Sequence, residues 1–311
     1  MSGLHSTAGS SRGATGAMQE VIRKAGVLIE ALPYIQDFRG EIVVVKFGGS
    51  AMENKENAEG VLADVTFMEC VGMLPVVVHG GGKAITRGMK ESGLEAKFVK
   101  GLRVTCEKTI QVVERIIKGE VNPEIVRVLQ EKGAPAQTIN GEAILRVRKM
   151  TEVDPATGQT IDWGFVGEPD EVNVAPIRKL LKQGIIPVIT PLGLGPDGKI
   201  HNVNADSSAA AVAKALRARK LVFLTDVPGL LRDREDPESI ITTLRAGEVE
   251  GLVARGVIDG GMLPKVNSGL EALKYGVNKI HMIDGRMPHS LLLEIFTDKG
   301  VGTEIVADEQ K

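Results

Sequence analysis

The stretch Glu41–Ala51 reads EIVVVKFGGSA, and it constrains the fold of this 311-residue chain more than any other. A short β-branched run that ends in glycines is the pattern of a buried parallel strand whose C-terminal end opens into a loop. Open α/β sheets bind their ligands at that edge, so Lys46 is expected to face a crevice. Gly48 and Gly49 leave no side chain between backbone N–H groups and whatever fills that crevice, which is how a loop holds a phosphate. The alternative is an ordinary strand and turn with a lysine reaching solvent. Glycine loops recur further along the chain, and the recurrence favours the crevice.

With 43% hydrophobic and 25% charged residues, the composition is that of a folded globular protein large enough for one big core or two lobes. Lys+Arg of 38 against Asp+Glu of 40 gives a net charge of -2, so no polyanion-binding surface is implied and nucleic acid is not an expected partner. Cys70 and Cys106 lie outside any Cys-x-x-Cys or Cys/His spacing. Neither a disulfide framework nor a metal site is expected, and free thiols fit a reducing cytoplasm. No apolar run approaches the roughly 20 residues of a membrane helix, so no membrane partner is expected either.

Residues 1–17 are Ser/Gly-rich, carry no acidic residue and show no periodicity, which reads as a disordered leader. From Met18 to Phe38 apolar residues recur at helical spacing (Val21, Ala25, Leu28, Leu32, Ile35), so an amphipathic helix is expected there, kinked near Ala31 and Leu32 by Pro33. Its apolar face has to be covered either by its own globule or by another subunit. A helix over about 56–72, the strand 74–78 and a second glycine loop, His79-Gly80-Gly81-Gly82, then lead into a helix from Lys83. Neither glycine loop matches a dinucleotide fingerprint or a P-loop, so a phosphate site of another kind is implied. His79 reads as a loop anchor rather than a base, since no nucleophile signature accompanies it.

Further on, KFVKGLRVTC places Arg103 in a short extended piece, either as a bidentate partner for a carboxylate or as a surface arginine. Two helices are expected over about 107–119 and 122–132. Residues 137–173 read as a turn-rich hairpin forming a lid, with Trp163 and Phe165 packing. In HNVNADSSAAAVAKAL, Asn202 and Asn204 alternate on an extended segment and Asp206 opens a helix, where it either caps the helix or serves a site as well. KLVFLTDVPGLL at 220–231 repeats the strand-and-loop theme with Thr225, Asp226 and Gly229. IDGGMLPKV then delivers Lys265 to a helix N-terminus, against the helix dipole, which makes sense if an anion sits between the two. Two lysines, glycine loops and one aspartate suit phosphoryl transfer, where positioning and positive charge suffice. A carboxylate acceptor needs no general base, being ionised at neutral pH.

KFGGS at 46–50, VHGGGK at 78–83, KGLRVT at 100–105, NVNAD at 202–206, LTDVPGLL at 224–231 and GGMLPKV at 260–266 resemble the acetylglutamate kinase branch of the amino-acid kinase family, over about Glu41–Val306. The resemblance implies an open, mostly parallel α/β sheet sandwiched by helices, with an extra kinked N-terminal helix. It implies transfer from ATP, with Mg2+, to the side-chain carboxylate of N-acetyl-L-glutamate in arginine synthesis. Lys46 and Lys265 are then the transition-state pair and Asp206 their organiser. Gly81, Gly82, Arg103 and Asn202 belong to the acceptor site, and Gly48, Gly49, Thr225, Asp226, Gly229, Gly261 and Met262 to the nucleotide side. No metal-ligating residue is implied.

The helix 18–38 and EIFTDKGVGTEIV at 294–306 are similar to the arginine-inhibited members, in which such a helix interlaces dimers into a hexamer. That likeness implies a homo-oligomer and an L-arginine site formed by Tyr34, Lys220, His281, Glu294 and Gly300, whose alternative reading is packing and surface charge. A PII-type signalling protein binds some members and stays open here. The domain expectation is a leader over 1–17, an assembly helix over 18–38, an acceptor-binding and dimerisation lobe over 39–194 and a nucleotide lobe over 195–311. Competing readings are a kinase for an aminoadipate derivative or for aspartate, and a nucleotide sensor without turnover.

Overall fold

The computed structural model describes residues 10–52, 54–153, 158–297 and 300–308, with the side chains of 10–17 and of Ser50 left aside. Helix α1 (Ser10–Phe38) leads into strand β1 (Ile42–Phe47), α2 (Lys55–Cys70), β2 (Leu74–His79) and α3 (Gly82–Glu91). A two-residue ribbon follows, β3 (Phe98–Val99) and β4 (Leu102–Arg103), and then α4 (Glu107–Ile116), a π-helical turn (Ile117–Val121), α5 (Asn122–Glu131) and β5 (Ala136–Ile139). The middle of the chain holds β6 (Leu145–Val153), β7 (Thr160–Val172), α6 (Ala175–Lys182), β8 (Ile186–Ile189), β9 (Leu192–Leu194) and β10 (Ile200–Val203). The remainder is α7 (Ala205–Leu216), β11 (Lys220–Thr225), β12 (Thr243–Arg245), α8 (Val249–Ala254), α9 (Met262–Lys274), β13 (Lys279–Asp284), α10 (Ser290–Phe296) and β14 (Thr303–Val306).

Eight strands form one sheet in the order β12-β14-β13-β11-β1-β2-β8-β5, parallel from β13 through β5, with β14 running against β13. This is the open, mostly parallel α/β sheet expected from the sequence. The β-branched run of β1 is buried on both faces, as a central parallel strand must be. Its residues alternate strictly between two cores. Val44 joins a cluster with Phe223 of β11, Ala209 and Val212 of α7, and Val266 and Ala272 of α9. Val43, Val45 and Phe47 face the opposite cluster, with Val65 of α2, Met89 of α3, Ile116 of α4 and Ile295 of α10. Lys46 follows the parity of Val44, so the period of the strand sends it toward α7 and α9.

Several details depart from the sequence reading. The helix expected from Met18 begins at Ser10, so residues 10–17 are helical rather than a disordered leader, and 1–9 lie outside the described residues. No proline interrupts the chain before Pro33, and the helix carries on through that residue to Phe38. The hairpin of β6 and β7 exists, but β9 and β10 close it into a four-stranded barrel instead of leaving it a free lid. Gly193 permits that closure, because a Cβ there would lie within van der Waals overlap of Val147 and Val203. Trp163 is fully buried and donates to the Val99 carbonyl at 3.1 Å, in keeping with a packing role. The two helices expected over 107–132 are joined by the π turn rather than by a loop.

Along α1 the apolar residues Met18, Val21, Ile22, Leu28, Ile29 and Leu32 are 44% to 69% exposed, so the described residues leave them largely uncovered. No helix among the described residues is long and apolar enough to cross a membrane. Phe223, fully buried opposite Lys46 in the β1–β11 register, tests the core on the α7 face. Phe223→Ala is expected to lower the unfolding free energy by about 3–5 kcal/mol, read as a shift in the urea midpoint. A loss below about 1 kcal/mol would show that this face is not close-packed.

Candidate active site

Three side chains from three elements meet at the C-terminal edge of the sheet. Asp206, in the first turn of α7, places Oδ1 3.0 Å from Nζ of Lys46 on β1 and Oδ2 2.5 Å from Nζ of Lys265 on α9. Register brings Lys46 to α7, and the packing of α7 on α9 brings Lys265 to the same carboxylate. Burial pushes the Asp206 carboxyl up, but the charges of Lys46 and Lys265 outweigh it and hold the group below the usual carboxylate range. Capping of α7 falls to Asn204, whose Oδ1 accepts from the N–H groups of Asp206 and Ser207 at 2.8 and 3.1 Å. The aspartate is therefore free to serve the lysines alone.

The two glycine loops touch. Gly80 N–H donates to the Phe47 carbonyl at 2.8 Å, and a Cβ on Gly48 would stand 3.2 Å from Lys46 Nζ and 3.3 Å from Gly80 N. Gly49 sits at φ +63°, a conformation that glycine adopts freely. Gly81 precedes α3 with no side-chain cap, and a Cβ there would strike Ile117 of the π turn at 2.5 Å. Lys46, Gly49, Gly81, Gly82 and Arg103 line one cavity of about 1020 Å3, extended between α2 and α5 by Met52, Leu62, Val121 and Ile125. Arg103 is buried, stacks over Phe98 at 4.7 Å, and donates to the Gly82 carbonyl at 3.0 Å and to Thr86 Oγ1 at 2.8 Å.

Other expected residues lie around this cavity rather than in its wall. Asn202 stands on β10 opposite Val166 and Leu192, four positions before Asp206. Thr225 ends β11 beside Asp284, Asp226 is exposed, and Gly229 at φ +155° is pressed against Thr303. Gly261 and Met262 open α9, one turn ahead of Lys265. Thr225, Asp226 and Gly229 belong to the C-terminal end of β11, next to β1, whereas Asn202 belongs to the barrel. The sequence reading missed the α2 contribution to the cavity and a buried contact of Asn122 with His79, whose Nε2 lies 3.0 Å from the Asn122 amide nitrogen. Asn122-Pro123 reads locally as a helix start, and nothing in the pattern announces its burial.

A second cavity, about 700 Å3, brings together Tyr34, Lys220, His281, Glu294 and Gly300, all five residues expected in one place. His281 Nδ1 and Glu294 Oε1 are 2.6 Å apart, and Glu294 Oε2 accepts from the N–H groups of Val301 and Gly302 at 2.7 and 3.1 Å. Burial pushes Lys220 down to about 8, and it also lowers His281. Burial alone would raise Glu294, but the hydrogen bond and charge of His281 together with the Val301 and Gly302 N–H groups outweigh it and keep the carboxyl below its ordinary value.

The chain matches the model of the amino acid kinase family over residues 41–284. It is 48% identical over 294 residues to an acetylglutamate kinase from Heliobacterium modesticaldum, covering 93% of this chain and 100% of that one. Among solved structures, N-acetylglutamate synthase from Neisseria gonorrhoeae superposes with a TM-score of 0.79 at 28% identity as its complex with coenzyme A and N-acetyl-glutamate. As its complex with coenzyme A and L-arginine the TM-score is 0.75 at 26% identity. These matches cover 92% and 91% of this chain, which spans 64% and 65% of the synthase chains. With a family model over most of its length and a near half-identical relative matched end to end, the chain belongs to the acetylglutamate kinases of the amino acid kinase family.

Proposed function

We propose that the protein transfers the γ-phosphoryl group of ATP to the side-chain carboxylate of N-acetyl-L-glutamate. The observation that carries this reading is the Lys46–Asp206–Lys265 bridge at the mouth of a cavity lined by glycine backbone and by Arg103. Two ammonium groups held by one carboxylate keep a net positive charge where a transferring phosphoryl group gains negative charge on its equatorial oxygens. The acceptor carboxylate is already a nucleophile, so the site needs no base. His79 agrees with this, because burial pushes it down to about 4 and both its ring nitrogens are engaged. Arg103 and Asn202 would hold the α-carboxylate, with Gly81 and Gly82 N–H groups near the reacting end. Gly48 and Gly49, together with Thr225, Asp226, Gly229, Gly261 and Met262, would serve the nucleotide.

Among the described residues no group of three or more His, Cys, Asp or Glu is placed to hold a metal ion. The chain therefore fits a Mg2+ ion carried by nucleotide phosphates and water, which would supply charge neutralisation there. With MgATP, acceptor and hydroxylamine, acetylglutamate is expected to give a hydroxamate, and aspartate or an acetylated aminoadipate little. Lys46→Ala and Lys265→Ala should each lower kcat about 100- to 1000-fold, roughly 2.7–4 kcal/mol, by analogy with loss of one oxyanion donor. Comparable hydroxamate from aspartate, or full activity without either lysine, overturns the proposal.

The second cavity supports a regulatory reading in the same cytoplasmic enzyme. Glu294 is a buried carboxylate suited to a guanidinium, and Tyr34 and Phe38 bring the end of α1 to the same wall. We infer that L-arginine binds there as an inhibitor, and that the uncovered stripe of α1 packs on a second copy to build a hexamer from dimers. Removing residues 1–38 should leave active, smaller oligomers by light scattering that millimolar arginine no longer inhibits. A truncated chain that assembles and responds like the full one sinks this inference.

A further inference from the structure

His79 closes β2 and is fully buried beneath the glycine loop. Its Nδ1 lies 2.8 Å from the Gly80 carbonyl oxygen, and a carbonyl only accepts, so Nδ1 carries the proton. Nε2 is then the lone-pair nitrogen, and it accepts from the Asn122 amide at 3.0 Å. Asn122 cannot reverse, since its Nδ2 also donates to the Val188 carbonyl at 3.1 Å while its Oδ1 takes the Thr138 hydroxyl. The donors therefore run in one direction, from Thr138 through Asn122 and His79 to Gly80. Burial keeps the imidazole neutral, the Gly80 contact acts weakly the other way, and no charged side chain among the described residues contributes.

The Gly80 carbonyl belongs to the peptide that also carries the Gly81 N–H. No cis peptide occurs among the described residues, and in a planar trans unit the N–H points opposite to the C=O. With the carbonyl drawn into the protein by His79, the Gly81 N–H is turned to the cavity that Gly80, Gly81 and Gly82 line. Neighbouring contacts leave this peptide little slack, because Gly80 N–H is held by Phe47 and Gly81 is backed by Ile117.

We propose that His79 and Asn122 are a positioning pair for phosphoryl transfer, fixing the Gly81 N–H as a donor toward the reacting end of the acceptor. This rests on the kinase reading above. Neither residue touches substrate. If the peptide turned over, a carbonyl oxygen would replace a donor beside developing negative charge, which is the opposite of what a preorganised site requires.

Asn122→Asp is the discriminating variant, because a carboxylate facing Nε2 demands a proton there. A neutral ring would then present its lone pair to Gly80, and only the imidazolium would restore the Nδ1 donor. The variant is expected to lose at least tenfold in kcat at pH 8 and to recover as the pH falls toward 6, with the KM for ATP within twofold of wild type. Nitrogen-15 spectra of histidine-labelled wild-type protein should show His79 protonated at Nδ1 alone between pH 6 and 8. A wild-type ring protonated at Nε2 overturns the proposal without recourse to any variant. A variant whose kcat matches wild type at every pH overturns it alone, whereas a wild type that forms no hydroxamate brings down the kinase reading and this assignment together.

Discussion

The structure depends on one shared carboxylate. Asp206 is almost fully buried, yet it stays ionised because two ammonium groups compensate what burial costs. The balance is uneven, since two positive charges meet one negative charge. A net positive charge in a site of low exposure is under-neutralised, and a phosphoryl group arriving between Lys46 and Lys265 completes what the protein leaves incomplete. The aspartate also spaces the lysines, which would repel each other in its absence. Its backbone is fixed in turn by Asn204, so the position of the carboxylate is set by the start of α7 and not by a flexible side chain alone.

Strand parity delivers the rest. In β1, Val44 and Lys46 face α7 and α9, while Val43, Val45 and Phe47 face α2 and α10. A slip of one residue would send the lysine to the wrong layer and bury its charge among Val65 and Met89, so hydrophobic burial and site geometry enforce the same register. The glycine loops follow from the same crowding. A Cβ on Gly48 would crowd both the Lys46 ammonium at 3.2 Å and the Gly80 backbone nitrogen at 3.3 Å, whereas Gly80 itself has ordinary room.

Much of this was legible in the sequence. The apolar run before Lys46, the glycines after it, and a lysine set against a helix dipole at 265 are local signals, and the structure brings both lysines to one carboxylate. Signals that depend on remote partners were not legible. Asn122 looks like a helix start beside Pro123, but its burial against His79 and Val188 is decided by strands far away in sequence. The barrel closes because Gly193, on a three-residue strand too short to carry a period of its own, admits Val147. Asp206 and Asn204 compete as caps on equal propensity, and only the side-chain geometry shows which one turns back to the backbone. The early start of α1 escaped for a related reason, because a Ser/Gly-rich stretch has low helix propensity yet lies directly before a long periodic segment.

The two cavities lie toward opposite ends of the sheet, since Lys220 at the start of β11 lines the second and Lys46 near the end of the neighbouring β1 lines the first. The two linings share no residue. An influence of one on the other has to pass through packed elements that border both. Helix α10 carries Glu294 and Ile295 into the second cavity, while the first turns of α2 carry Lys55, Glu59 and Leu62 into the first. These helices are joined by the Phe67–Phe296 edge contact at 5.7 Å and by His289 Nδ1 on the buried Asp64 carboxylate at 2.7 Å. Asp64 also lies against the first backbone N–H groups of α10, those of Leu291 and Leu292, so a shift of that helix loads a carboxylate that burial already pushes up. The sheet between the cavities is buried on both faces, whereas this helix pair sits on one layer and meets through the polar contacts of Asp64.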